Sequence, residues 1–234
     1  MNVSGRTKNG KGTPRELFKN KAYDELRSRF DNHQYPPGTF LSERQLADEL
    51  GMSKTPVKAA LERLEIEGFI TVSPQSGILV RDLTLDELTE MYEIRLALEG
   101  FALRSMAGRL TKEQLERLDA NLTAYAQQVD GNAGSIREAV ALDAEFHQLP
   151  SLFLGNKLIV NTLQQFSVRI AQVINRVFTH LPSRVSQSLI EHRQIVDALR
   201  SGRGEIAREL GERHLRVGHD VLIEALQKSK KTGA

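Results

Sequence analysis

The amino-acid sequence predicts a mainly α-helical fold, in which a small N-terminal domain ends in a β-hairpin and a larger C-terminal domain forms an antiparallel bundle of helices. Three observations lead to this prediction. Apolar residues recur at three- and four-residue spacing through most of the chain, as in amphipathic helices. Two short β-rich runs around a Pro/Gly turn interrupt that pattern. Ser/Thr-x-x-Glu/Gln capping motifs open several of the helical runs, and the connections between the runs are short.

Composition excludes several classes of protein. The chain has 234 residues, of which 40% are hydrophobic and 26% charged, and it contains no cysteine. No apolar run approaches the ~20 residues that a membrane span requires, and the basic amino terminus lacks the apolar region of a secretory signal. The absence of cysteine removes thiolate metal sites from consideration. We therefore expect a cytoplasmic protein with no membrane partner.

Breaks in the helical pattern suggest the domain boundaries. Residues 1–12 are polar and basic and are expected to form a flexible tail, and residues 229–234 a second polar tail. Between them, a first domain is predicted at 13–81, a hinge at 82–83 and a second domain at 84–228. Residues 1–81 contain 13 Lys and Arg against 10 Asp and Glu, whereas the rest of the chain contains 19 against 20. A basic first domain suits a polyanionic partner.

The stretch SERQLADELGMSKTPVKAALERLEIEGF predicts two short helices joined by a tight turn. Ser42 and Gln45 have the spacing of a capping box at the start of the first helix. Gly51 supplies the turn. Thr55 is expected to cap the second helix, with Pro56 at its first position, where the missing N–H is not needed. This arrangement predicts a helix-turn-helix motif.

The exposed start of the second helix and the hairpin after it are the candidate binding surface. Lys54, Thr55 and Lys58 remain outside the apolar face and can reach a major groove. An ordinary helical hairpin with a solvated lysine face is the alternative. The β-rich runs 69–72 and 78–81 form the predicted hairpin, or wing, and the residues at its tip are small enough to approach a minor groove or phosphates. These tip residues are Gln75, Ser76 and Gly77.

The segment PPGTFLSERQLADELGMSKTPVKAALERLEIEGFITVSPQSGILV resembles the winged helix-turn-helix of the GntR family of bacterial transcription regulators. The resemblance implies DNA contacts by Arg44, Thr55, Pro56 and the three wing residues. In that family the recognition helix usually opens Ser-Arg-Thr-Pro-Val-Arg, and here Lys54 and Lys58 stand at the arginine positions. Lysine lacks the arginine fork that pairs with guanine. Phosphate contacts by both lysines are therefore expected, and base contacts stay open.

The second domain is expected to contain six helices with short connections, which favours an antiparallel all-α helical bundle. Thr84, Thr111 and Ser135 each begin a capping motif. Pro150 is expected to end the third helix at Leu149. The predicted helices cover about 84–107, 111–129, 135–149, 157–179, 184–199 and 204–227.

Four polar side chains fall on faces that the apolar pattern turns toward the interior. Asp143 and His147 lie one turn apart on one helix, in register with Val140. His192 falls between Leu189, Ile195 and Val196, and His214 aligns with Leu210, Val217 and Val221. Burying such groups without partners is costly, and a divalent ion such as Zn, Ni, Co, Mn or Fe would satisfy all four at once. In the alternative, each histidine is a core or surface histidine that is hydrogen-bonded to backbone.

The second domain also resembles the FCD effector domain of the FadR subfamily of GntR regulators. The matching residues are YEIRLALE at 92–99, DAEFH at 143–147, EH at 191–192 and RHL at 213–215. The resemblance implies that Asp143, His147, His192 and His214 bind a metal, with zinc as the first choice, and that a small organic acid binds next to it. Arg95 stands where the family often places an arginine near the acid. Its alternative role is an ion pair with Glu99.

Together these patterns predict a homodimeric, ligand-responsive DNA-binding regulator, a repressor or an activator. The winged helix-turn-helix domains of its two protomers would contact a pseudo-palindromic operator, since a two-fold dimer presents two equivalent DNA-binding domains. A metal-dependent enzyme acting on a small carboxylate is the alternative from another class, because histidine and carboxylate ligands with an open position also occur in hydrolases and oxygenases. The chain shows no nucleophile motif and no Gly-rich phosphate loop.

Overall fold

A computed structural model describes residues 14–31, 34–73, 77–130 and 135–232 of the chain. The chain divides into two compact units between Asp82 and Leu83. The described residues are mainly helical, as predicted. Among their helices, none has a stretch long and apolar enough to cross a membrane.

The N-terminal unit is a small helical domain with a three-stranded antiparallel sheet in the order β1-β3-β2. Its core contains Leu26, Leu46, Leu64 and Ile70, which are almost fully buried. Strands β2 and β3 pair with Ser73 opposite Gly77, so the predicted hairpin is confirmed. The elements within the described residues are α1 Pro14–Asp31, β1 Phe40–Leu41, α2 Glu43–Leu50, α3 Lys54–Ile66, β2 Ile70–Ser73 and β3 Gly77–Val80.

The helix-turn-helix is confirmed, with one correction to its capping. Ser42 accepts from the backbone N–H of Gln45, and α2 ends at Gly51 in the left-handed conformation. The second helix, α3, begins at Lys54, and Ser53 is its N-cap residue. The prediction that Thr55 caps this helix is therefore wrong, and Pro56 is its third residue. Proline is tolerated there because the first four N–H groups of a helix have no partner within it.

Strand β1 is an element that the sequence pattern did not predict, because two residues are too short to show alternation. It pairs with β3, with Leu41 opposite Ile78. The pairing of β1 with β3 explains why residue 77 is a glycine. Gly77 has a φ of +85°, and a Cβ atom at this position would lie 2.9 Å from the Leu41 carbonyl oxygen. The start of β3 thus has no room for a side chain.

The C-terminal unit is the predicted bundle. Its helices within the described residues are α4 Leu85–Met106, α5 Lys112–Asp130, α6 Ile136–Leu154, α7 Lys157–His180, α8 Ser183–Arg200 and α9 Gly204–Thr232. Thr84 and Glu87 form a complete capping box before α4. The core side chains exposed by no more than 2% include Leu88, Leu118, Tyr125, Phe146, Leu149, Ile195, Leu199 and Leu222. Val217, expected to face inward, is 38% exposed.

Helix α6 contradicts one prediction. It continues through Pro150 to Leu154 and ends at Gly155, which adopts the left-handed conformation. Proline removes one helical hydrogen bond. Its neighbours Leu149 and Ser151 are buried at 0% and 1% exposure, so the packing of this turn outweighs the local preference. The helix that carries Asp143 and His147 is thus longer than the sequence suggested.

Candidate functional site

The C-terminal unit brings together the four polar side chains that the sequence placed inside it. Asp143 and His147 extend from α6, His192 from α8 and His214 from α9, and one ligand atom of each lies within 4.8 Å of the others. We call these four residues the His/Asp cluster. Asp143, His192 and His214 are buried, and the His147 side chain is 11% exposed.

The donor atoms of the His/Asp cluster converge on one point. The Nε2 atom of His214 lies 3.1 Å from that of His147 and 3.3 Å from that of His192. One carboxylate oxygen of Asp143, Oδ2, lies 3.9 Å from His147 Nε2, and the other, Oδ1, lies 3.7 Å from His192 Nε2. Two imidazole nitrogens bound to one zinc ion, each at about 2.0–2.1 Å, lie roughly 3 Å apart. The spacing of the residues therefore fits a shared divalent ion.

Two carboxylates orient the rings of His147 and His214 through contacts with their Nδ1 atoms. His147 Nδ1 lies 2.7 Å from Glu99 Oε2, and His214 Nδ1 lies 2.5 Å from Glu191 Oε2. A carboxylate that accepts a hydrogen bond from Nδ1–H leaves the Nε2 lone pair directed into the cluster. This arrangement is typical of metal-binding histidines.

Each of these carboxylates is itself held by an arginine. Arg95 Nε donates to Glu99 Oε1 at 2.6 Å, and the two terminal nitrogens of Arg184 donate to the two oxygens of Glu191 at 3.0 and 2.8 Å. Burial raises the pKa of Glu99, but the charges of Arg95 and His147 outweigh it and lower that pKa to about 2. For Glu191, hydrogen bonds from His214 and Arg184 likewise overcome burial, and its pKa is also about 2. Both carboxylates are therefore ionised at neutral pH.

His192 is held by packing. Its side chain is fully buried, and its ring stacks on Phe146 with centroids 3.8 Å apart. Burial, reinforced by the charges of His214 and His147, lowers the pKa of His192 well below its usual value. Burial also lowers the pKa of His214. Both rings are thus neutral, which is the form that binds a metal. The Nδ1 atom of His192 has no hydrogen-bond partner among the described residues.

A cavity adjoins the His/Asp cluster. The unfilled space within it, including its opening to solvent, is about 360 Å³. Three of the cluster residues line it, namely Asp143, His147 and His214, and so do both arginines, Arg95 and Arg184. The predicted ion pair of Arg95 with Glu99 is present, and the same arginine lines the cavity beside the cluster.

The candidate DNA-binding residues that the structure describes lie at exposed or partly exposed positions of the N-terminal unit. Lys54, Thr55 and Lys58 are exposed on the first two turns of α3, and Pro56 is partly exposed. The Arg44 side chain on α2 is 82% exposed and lies 3.8 Å from Asp48. Gly77 is the first residue of β3. The other two wing residues, Gln75 and Ser76, lie outside the described residues.

Two protein-family models match the chain. The FCD domain model matches residues 90–217, which is more than half of the chain, and the model of bacterial regulatory proteins of the gntR family matches residues 18–80. The chain belongs to the GntR family and carries an FCD domain. It is therefore a transcription regulator of a family that binds DNA, and the resemblance seen in the sequence is confirmed.

Named relatives of this GntR regulator agree with the family. It is 26% identical to an uncharacterized HTH-type transcriptional regulator, YdhC, of Bacillus subtilis (strain 168), over 89% of this chain and 92% of the relative. It is also 26% identical to the HTH-type transcriptional repressor RspR of Escherichia coli (strain K12), over 86% and 87%. The solved structure of E. coli McbR/YncC has the same fold, with a TM-score of 0.72, 21% identity and coverage of 88% and 97%.

The structure adds site residues to this GntR regulator that the sequence analysis missed. Glu99 and Glu191 stand in the FCD-like segments, but only their contacts with His147 and His214 reveal a function. Arg184 belongs to no motif in the sequence, and it lies eight residues before His192 on a helix face that the apolar pattern assigns to the core. A polar residue on an apolar face was the available hint.

Proposed function

We propose that this GntR regulator binds a divalent metal at the His/Asp cluster and a small organic acid beside it, and that the acid alters the affinity of a homodimer for a pseudo-palindromic operator. One observation carries the proposal. Three imidazole Nε2 atoms and one carboxylate converge, while two of the Nδ1 atoms face ionised carboxylates. Burying these polar side chains is costly unless they have partners, and one ion would be a partner for all four.

Zinc is the ion that we propose. Three imidazoles and one carboxylate are good ligands for zinc, and nickel, cobalt, manganese and iron accept the same donors. When bound, the ion supplies a positive centre that a carboxylate can bind. Arg95 is the proposed partner of the same carboxylate, since it lines the cavity beside the cluster.

The N-terminal unit is the proposed DNA-binding domain. Arg44, Lys54 and Lys58 contact phosphates, and Thr55 with Pro56 and the wing tip at Gln75, Ser76 and Gly77 lies against the grooves. The relative RspR is named a repressor, and we propose that this regulator is a repressor as well. The acid can regulate only if it binds DNA-competent and incompetent states with different affinity. Residues 82–83, at the division between the two units, are the proposed hinge.

A metal-dependent enzyme has less support. Both matching family models describe regulators, and the named relatives are transcription regulators. A binding role explains the same residues, because Glu99 and Glu191 contact the histidines and each is held by an arginine.

Elemental analysis of purified variants tests the metal site. The full-length His192→Ala variant should lose bound metal, because it removes one of three nitrogen donors, and it should still bind operator DNA without an effector. His219→Ala is the matched control on α9, since His219 contacts Thr89 instead of the cluster. Equal metal content in the wild type and His192→Ala would contradict the proposal.

A further inference from the structure

We infer that the effector is a monocarboxylate with a short apolar tail, bound with its carboxylate at the His/Asp cluster and its tail against the apolar side chains that line the same cavity. This inference rests on the proposed metal and acid site and adds the chemical class of the acid. Three independent features support it: the charge of the site, the lining of the cavity and the number of free arginine donors.

The first feature is charge. Asp143, Glu99 and Glu191 carry three negative charges, and Arg95 and Arg184 carry two positive ones, so the site has a net charge of −1. A divalent ion reverses this to +1. One carboxylate then neutralises the site, whereas a second carboxylate on the same molecule leaves an excess negative charge that is buried and costly. The same count indicates that anions are held only when the metal is present.

The second feature is the lining of the cavity. Outside the cluster and the two arginines, the cavity is lined mainly by apolar side chains from two helices, α7 and α9, and the hydroxyl groups of Tyr92 and Ser188 are the polar exceptions. We call these apolar side chains the apolar wall: Ile174, Val177, Phe178, Leu215, Val221 and Leu222. The most buried of these, such as Val177 and Leu222, are 3% and 2% exposed. These side chains have no hydrogen-bond donor, so a polar tail would lose its hydration without compensation.

The third feature is the number of arginine donors. Arg184 uses both of its terminal nitrogens on Glu191. Arg95 makes one hydrogen bond among the described residues, from Nε to Glu99, and so keeps its two terminal amino groups for a ligand. One arginine with two terminal amino groups left for a ligand can bind one carboxylate in a bidentate pair.

A second cavity touches the cluster but suits an anion less well. It shares Arg95, Asp143 and His147 with the first, but it is lined by Glu99 and lacks Arg184. A carboxylate there would face two acidic residues and one arginine. The cavity that contains both arginines is therefore the better anion site.

Calorimetric titration of the full-length chain tests this inference with matched ligands. The zinc-loaded protein and the chelator-treated protein are each titrated with 3-methylbutanoate, glutarate and 3-methylbutanamide. We expect 3-methylbutanoate to bind the zinc-loaded protein at least about tenfold more tightly than glutarate, because the second carboxylate is buried unpaired. The uncharged amide should bind far more weakly, and the chelator-treated protein should bind none of the three.

A variant pair separates the apolar wall from the metal end. Val177→Thr adds a hydroxyl to the wall at nearly constant volume and should weaken 3-methylbutanoate binding by about threefold or more, with metal content unchanged. Val160→Thr, on the same helix outside the cavity, is the control. If Val177→Thr does not fold, the ligand series with the wild type decides alone.

The outcomes distinguish the two levels of the hypothesis. If glutarate binds as tightly as 3-methylbutanoate, the monocarboxylate class is wrong while an acid site remains. If chelation leaves the binding of 3-methylbutanoate unchanged, the proposed role of the metal in holding the acid is wrong. If the zinc-loaded protein binds neither acid, both the class and the proposed acid site are wrong.

Discussion

At the level of single residues, Glu99 shows how one side chain prepares a candidate metal ligand. Its two oxygens accept from Arg95 and face His147 Nδ1, so it fixes both the tautomer and the angle of that ring. Partners behind metal ligands contribute to affinity in this way in many sites.

We expect Glu99→Gln to lower zinc affinity by about 10-fold to 100-fold. The amide loses the negative charge that makes His147 a stronger donor and can also present an NH₂ group to it. Competition with a coloured chelator measures the change. Glu93→Gln is the control, because Glu93 is exposed on the same helix. Equal affinities for the two variants would contradict an orienting role for Glu99.

Lys58 tests the proposed DNA contact. Lys58→Ala should reduce the slope of log binding constant against log salt by about one, because one phosphate contact releases about one counterion. Binding to operator and unrelated DNA should weaken together. Lys112→Ala is the control, since the Lys112 side chain is 84% exposed but lies in the FCD domain. An unchanged slope in Lys58→Ala would show that this lysine does not contact phosphate.

Gly77 was predicted from sequence as a residue that approaches DNA, and the structure gives it a packing role as well. Gly77→Ala should destabilise the N-terminal unit by about 1–3 kcal/mol, because alanine is strained at a positive φ and its Cβ meets the Leu41 carbonyl. Urea unfolding followed by circular dichroism measures this without DNA. If stability is unchanged, the proposed clash with β1 is wrong.

At the level of elements, the pairing of α4 with α9 places two glycines of α9 next to side chains of α4. A Cβ atom on Gly211 would lie 2.3 Å from Leu103 Cδ1, whereas one on Gly218 would lie 3.5 Å from the Tyr92 hydroxyl oxygen, an ordinary contact. The two glycines therefore differ in the space around them, although they lie on the same helix.

Because of this difference in space, alanine substitutions at the two glycines should have opposite effects on the stability of the C-terminal unit. Gly218→Ala should stabilise the C-terminal unit by about 0.5–1 kcal/mol through helix propensity alone. Gly211→Ala gains the same propensity but forces Leu103 to move, and we expect a net destabilisation of about 1 kcal/mol. Thermal unfolding of both variants measures the pair. Equal shifts in the same direction would mean that Leu103 adapts without strain.

Helices α3 and α6 show which element boundaries sequence reasoning can predict. Ser42, Thr84 and Gly51 act locally, through hydrogen bonds or backbone conformation within a few residues, and their predictions were right. Thr55 and Pro150 were misassigned because proline was taken as a boundary. Helix α3 begins two residues before Pro56, and the burial of Leu149 and Ser151 lets α6 continue through Pro150.

For the molecule as a whole, the proposed ion would join three helices of the C-terminal unit. Its ligands come from α6, α8 and α9. A ligand that binds only the folded state stabilises that state, by about 2.7 kcal/mol at 100 times its dissociation constant.

Chelation should therefore lower the unfolding temperature of the C-terminal unit and leave that of the N-terminal unit unchanged. Differential scanning calorimetry of the wild type, with and without a chelator, follows both transitions. In His192→Ala the chelator should have no further effect. A chelator-induced shift of equal size in that variant would place the metal elsewhere.

The sequence by itself determined the family, the order of the helices and hairpin, and the four residues of the His/Asp cluster. These features depend on periodicity, capping and residue type, which act over short distances or mark one face of a helix. Tertiary structure alone decided the partners of the cluster, the strand β1 and the apolar wall of the cavity. Glu99 meets His147 across 48 positions of the chain, and no local pattern encodes which helices pack together or how their side chains meet.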